Sequence, residues 1–178
     1  MVRAEDLVVE TFFVGPLQMR CSVVCDTSTG DTVVIDAGDE PDRLIAWNDQ
    51  GEGAGPNWSS APGPVRPGER TVVALLNTHA HFDHSGHIPT VREHWGVEWW
   101  LHPDDTFLQS LAQQSAARWG LPPLPEPATA DHDLAHGETV HVGSLSFEVL
   151  HTPGHTLGGV CLLLRVEGAA DHLFVGDT

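Results

Sequence analysis

Lysine is absent. All eight basic residues are arginine, set against twenty-five acidic ones, which gives a formal net charge of −17 over 178 residues. So acidic a chain repels a phosphate backbone, which argues against nucleic acid as a partner. Polybasic runs that would hold an anionic membrane surface are also missing. Nor is there an apolar stretch of about eighteen residues, the length at which a membrane-spanning helix becomes the natural reading. The opening MVRAEDLVVETFF mixes charges into its apolar residues and lacks a signal-peptide core and cleavage site. Disulfide spacing is absent too: Cys21, Cys25 and Cys161 are an odd count without a framework, as expected for free thiols in a reducing compartment. The expected setting is therefore cytoplasmic. Cys21 and Cys25 stand four apart on a predicted strand and share a face. That leaves metal ligation open, with packing the favoured role.

What remains is an ordinary apolar content and enough length to bury a core, read as a single domain over 1–178. Strands are predicted over 7–15, 21–27, 31–38, 70–78 and 97–103, from alternating or continuous apolar runs bounded by turn residues. The run 70–78 is apolar almost throughout, so it is expected to be buried on both faces. Helices are predicted over 39–50, 85–96 and 104–120, the last with acidic residues at its start and a closing glycine. ETVHVGSLSFEVLHT reads as a hairpin about Gly143 and Ser144, and two more strands follow to the end. Residues 51–69, rich in Gly, Pro and Ser, are expected to be a flexible surface insertion. Strands cluster with helices between them, a pattern that fits an α+β or layered α/β sandwich better than a doubly wound sheet.

The stretch THAHFDHSGH, residues 78–87, follows a predicted buried strand. In an extended backbone residues two apart project the same way, so His79 and His81 can converge on one ion. Asp83 and His84 then face a second point nearby. Neutral imidazoles and a carboxylate suit zinc, and imidazole also suits iron. Further on, LHTPGHTLGG places His155 after the tight turn forced by Pro153 and Gly154, a third histidine for the same face. His151 precedes that turn and is read as a packing or hydrogen-bonding residue. At the end, HLFVGDT brings Asp177 off an apolar strand as a candidate bridging carboxylate. The remaining histidines, including His102, are read as surface or packed residues, and the tryptophans of HWGVEWWLHP as core and edge packing.

In that order, THAHFDH, HTPGHT and GDT resemble the metallo-β-lactamase superfamily, as does the opening VGPLQMRCSVVCDTSTGDTVVIDAGDE. Within it the chain looks most like the glyoxalase II (hydroxyacylglutathione hydrolase) branch. The resemblance implies an αββα sandwich with a dinuclear site at one edge: His79, His81 and His155 on the first metal, Asp83 and His84 on the second, and Asp177 bridging. Two divalent ions are implied, zinc first, with iron or manganese fitting similar donors. Asp36 matches a position that supports the His-rich loop from behind. The chain stops at Thr178, where relatives continue through a loop, a helix and a last strand, a part that carries a further histidine of the second site. It is therefore read as a C-terminally truncated member.

The implied reaction is hydrolysis of a small-molecule thioester such as a hydroxyacylglutathione. Bound dications bring the pKa of water down to about 7, and Asp83 would orient the resulting nucleophile as well as bind metal. Two alternatives use the same residues. One is a persulfide dioxygenase with a single iron on His79, His155 and Asp177; the other is a lactone hydrolase.

Overall fold

The computed structural model describes residues 1–50 and 69–178. Apart from Glu69, the insertion expected over 51–69 lies outside them. The strands are β1 (Val2–Arg3), β2 (Leu7–Val14), β3 (Met19–Asp26), β4 (Asp31–Ile35), β5 (Thr71–Leu76), β6 (Glu98–Leu101), β7 (His132–Asp133), β8 (Thr139–Val142), β9 (Leu145–His151), β10 (Val160–Leu164), β11 (Val166–Glu167) and β12 (His172–Phe174). The α-helices are α1 (Pro41–Gln50), α2 (Phe82–Ser85), α3 (Ile88–Trp95) and α4 (Thr106–Arg118).

Two main sheets stack. The larger has the order β2-β3-β4-β5-β6-β7 and the smaller β12-β10-β9-β8, while β1 and β11 form a short parallel pair. In the larger sheet β2, β3 and β4 are antiparallel neighbours, whereas β4, β5, β6 and β7 run parallel. Parallel neighbours need crossovers, and α1, α3 and α4 lie in the three connections.

Two apolar layers result. Val24, Val33, Ile35, Ala74 and Leu76 of the larger sheet meet Val140, Phe147, Val149, Val160 and Leu162 of the smaller. On the other face of the larger sheet, Phe12, Val23, Leu75 and Trp99 meet Leu44 and Trp47 of α1 and Ile88 and Val91 of α3. β5 thus contributes to both layers, as its continuous apolar run implies. Each fully buried leucine such as Leu44 contributes about 1.5–3 kcal/mol by leaving water. Outward from the smaller sheet, His141 and Leu173 are exposed and Leu163 is half-buried.

Because β4, β5 and β6 are parallel, their C-terminal ends reach one edge together, the place where open sheets of this kind bind ligands. Asp36 leaves the end of β4, Asn77, Thr78 and His79 leave β5, and His102 and Asp105 leave β6. The smaller sheet brings the β9–β10 loop with His155, and the turn after β12 with Asp177.

One local expectation changes. The helix predicted over 85–96 is found as α3, but a separate turn that was not predicted precedes it inside the His-rich stretch. Residues 82–85 form the single turn α2, then α3 starts with Pro89 in its first turn and ends at Gly96, whose φ of 65° closes it. The His-rich stretch is therefore extended only through His81. Phe82 anchors the new turn by packing on Ala112 and Ala116 of α4.

Candidate metal centre

The hydrogen bonds around Asp36 set the geometry. This buried carboxylate, at a φ of 59°, accepts from the Thr78 backbone N–H (2.8 Å), the Thr78 hydroxyl (2.7 Å) and Asn77 Nδ2 (3.1 Å). Asn77 Nδ2 also donates to the carbonyls of His79 and His84, and its Oδ1 accepts from the buried Trp99 indole at 2.9 Å. The loop from Asn77 to His84 is fixed at both ends by side chains beneath it.

These contacts also choose the tautomers. The Thr78 hydroxyl spends its proton on Asp36, so at 3.1 Å it accepts from His79 Nδ1. That leaves His79 Nε2 as a bare lone pair, 3.1 Å from His81 Nδ1, which in turn lies 2.9 Å from His155 Nε2. Three ring nitrogens from two loops converge on one point. His84 Nδ1 donates to Asp36 Oδ2 at 3.1 Å, which aims its Nε2 the other way. That Nε2 lies 3.3 Å from Asp177 Oδ1 and 3.8 Å from Asp83 Oδ2. Asp177 Oδ2 is 3.5 Å from His155 Nε2, so its carboxyl spans the two groups.

Two sets of donor atoms therefore lie close enough to share an ion: His79, His81 and His155, and His79, His84 and Asp177. Asp83 approaches the second set through His84. The donor chemistry fits divalent metal. The first set is three imidazole nitrogens, and the second contains a buried nitrogen, His84 Nε2, that makes no hydrogen bond. Burial pushes the His79 pKa down to about 4, reinforced by neighbouring His84. Burial and then His155 lower that of His81. Both rings are thus held neutral, the form that ligates. Burial also acts to lower the pKa of His84, but the Asp36 hydrogen bond and charge, with Asp83 and Asp177, outweigh it and raise the value.

The glycine of GDT has a steric reason. Gly176 sits at φ +55°, and a Cβ there would come 2.3 Å from Thr78 Oγ1. Gly38 has another, since its Cβ would lie 1.7 Å from the Asp83 carbonyl oxygen.

Two features were not legible from spacing. Asp105 is one of the acidic residues expected to charge the start of α4. It instead turns inward, fully buried, and accepts from Ala80 N (3.1 Å), Thr156 Oγ1 (2.8 Å) and Gly158 N (2.7 Å). One carboxylate thus staples the His81 loop to the His155 loop. His102 and His151, read separately as packed residues, stack with centroids 4.2 Å apart and planes at 15°. Asp104 joins them within ligating distance, but rings lying flat on each other do not aim lone pairs at one point. His151 Nε2 instead donates to Leu157 O at 2.9 Å, bracing the His155 loop. All three cysteines are buried and free, and burial, then Asp36, pushes the Cys21 thiol pKa up. They stand outside the donor sets.

A layered α/β sandwich with histidines and carboxylates clustered at its parallel-strand ends defines a candidate metal-binding fold. The chain belongs to the metallo-beta-lactamase superfamily, whose family model matches residues 14–178. That family binds metal at a dinuclear site. The chain is 32% identical over 176 residues to an uncharacterized protein of Aquifex aeolicus, covering 96% of this chain and 73% of the relative. It is 29% identical over 170 residues to the hydroxyacylglutathione hydrolase GloC of Haemophilus influenzae, covering 95% and 70%. Among solved structures it is similar to the BLEG-1 B3 metallo-beta-lactamase, at 27% identity and a TM-score of 0.71 over 88% of this chain and 67% of that one. It is also similar to TTHA1623 in a di-iron-bound form, at 32% identity and a TM-score of 0.67, covering 85% and 65%.

Proposed function

We propose that the chain is a metal-dependent hydrolase of small-molecule thioesters such as hydroxyacylglutathiones, working with two divalent ions, zinc first. The observation that carries this reading is the pair of donor sets that share His79, with the Asp177 carboxyl of the second reaching His155 of the first and the buried His84 Nε2 left without a hydrogen bond. The similarity to a hydroxyacylglutathione hydrolase supports the thioester. His79, His81 and His155 would hold one ion, Asp83 and His84 the other, and Asp177 would bridge. When bound, the ions supply a water with a pKa near about 7 and a cationic site for a developing oxyanion. The protein's part is placement. Asp36 and Thr78 fix the tautomers of His84 and His79, and Asp105 and His151 hold the loop that presents His155. Asp83, half-buried between the donors and a cavity, would accept the proton of the attacking water and orient it.

A cytoplasmic setting agrees with three free, buried cysteines. Among the described residues no helix is long and apolar enough to cross a membrane. The single-iron dioxygenase reading draws on His79, His155 and Asp177, and the di-iron form of TTHA1623 keeps iron in view. We favour hydrolysis because His81 and His84 aim nitrogens at the same region, which one iron on three ligands leaves unused.

The test pairs metal analysis with two assays on the same preparation. Hydrolysis of a lactoylglutathione-type thioester by the zinc-loaded chain, without oxygen uptake on glutathione persulfide by the iron-loaded chain, is the expected result. Oxygen uptake without hydrolysis overturns the reading.

A further inference from the structure

A cavity of about 320 Å³ opens beside Asp83, between the β2–β3 turn, the segment that follows β4, α2 and the segment that follows α4. Its apolar part is Phe82 with Leu121 and Leu124, which pack together. Consecutive prolines at 122 and 123 stiffen that wall. Its charged side chains are Asp39, Glu40 and Asp83, all acidic. Arg43, the nearest arginine in sequence, is held by Glu40 in an ion pair. Asp39 accepts the Glu40 N–H and has no ion-pair partner among the described residues. His87 also lines the cavity, and burial pushes its pKa down against the pull of Asp39 and Asp42. Among the described lining residues no side chain offers a cation at neutral pH.

A short hydroxyacyl group would leave most of such a cavity empty, so the longer, thiol-side arm is the better occupant. Glutathione brings two carboxylates and one ammonium. Seating it here would desolvate anions beside Asp39 with no cationic side chain among the described lining residues to pair them, on a chain of net charge −17. We propose that this cavity receives the thiol-side arm of the thioester and selects one that is partly apolar and uncharged or cationic, an acylated cysteamine in place of glutathione. The inference rests on the hydrolase reading and changes its thiol carrier.

Two measurements test it. The first is calorimetric binding of inert thioethers to the unaltered, metal-free chain at low ionic strength. S-butyl-N-acetylcysteamine should bind about tenfold more tightly than S-butylglutathione, and the gap should narrow as salt screens the carboxylates. Asp39→Asn should narrow it as well. Equal or tighter binding of the glutathione thioether overturns the proposal. The second compares hydrolysis of lactoyl thioesters of the two thiols by the zinc-loaded chain, where kcat/KM should favour N-acetylcysteamine. Turnover that favours glutathione overturns this inference alone. Turnover of neither overturns the hydrolase reading and the inference with it.

Discussion

Asp36 binds nothing that reacts, yet its two oxygens fix Thr78, Asn77 and His84, and through Thr78 the tautomer of His79. Replacing it with alanine strands several buried donors at once. We expect Asp36→Ala to cost about 3 kcal/mol in urea unfolding and to lower metal content in the same protein. The histidines give the metal-free chain a pH signature. His79 takes up a proton near pH 6.5 when unfolded, but only at about 4 when folded. A folded pKa below the unfolded one means that stability is lost as pH falls from 6.5 toward 4, by up to about 3 kcal/mol from this residue. The raised value of His84 acts in the opposite direction. A urea midpoint that falls across that window in the apo chain, and falls less in His79→Gln, bears out the sign. Residue types and spacing singled out five residues that the fold gathers into the two donor sets, and a sixth, Asp83, that lies 3.8 Å from His84 beside them. Asp105 was hidden because a carboxylate just before a helix looks the same in sequence whether it charges the helix end or turns inward to tie two loops.

At the scale of elements, the centre depends on close approach between segments far apart in sequence. Gly38, just after β4, abuts the backbone of α2, and Gly176, just after β12, abuts Thr78. Gly38→Ala forces the Asp83 carbonyl away, for which we expect a loss of about 2–3 kcal/mol and weaker binding of the second metal. Gly176→Ala adds strain at φ +55° and a clash with a side chain. Its effect should fall on metal stoichiometry more than on the unfolding midpoint, because the turn after β12 is exposed. The longer strands and helices were legible because their apolar periods are clear, whereas the two-residue strands β1 and β7 were not. Nor was the single turn of α2: its four residues make barely one helical turn, too few for a period to repeat, and Phe82 seats it against α4, a contact made across the fold.

For the whole molecule, an acidic chain gathers its donors at one edge of two stacked sheets. On the proposed assignment, bound cations would offset part of that charge locally and link the larger sheet to the smaller through His155 and Asp177. Removing metal should therefore loosen the edge as well as abolish activity. With free metal at about a hundred times its Kd, chelation should cost about 2.7 kcal/mol, seen as a lower thermal midpoint that added metal restores. The layered fold was legible from the order of elements. The sheet order was not, since pairing between distant strands leaves no local trace. The central claim is two ions on shared ligands, and anomalous diffraction from crystals of the zinc-loaded chain tests it most directly. We expect two peaks per chain, one among His79, His81 and His155 and one between Asp83 and His84, with Asp177 touching both. A single peak on His79, His155 and Asp177, or metal only at His102 and His151, would contradict it.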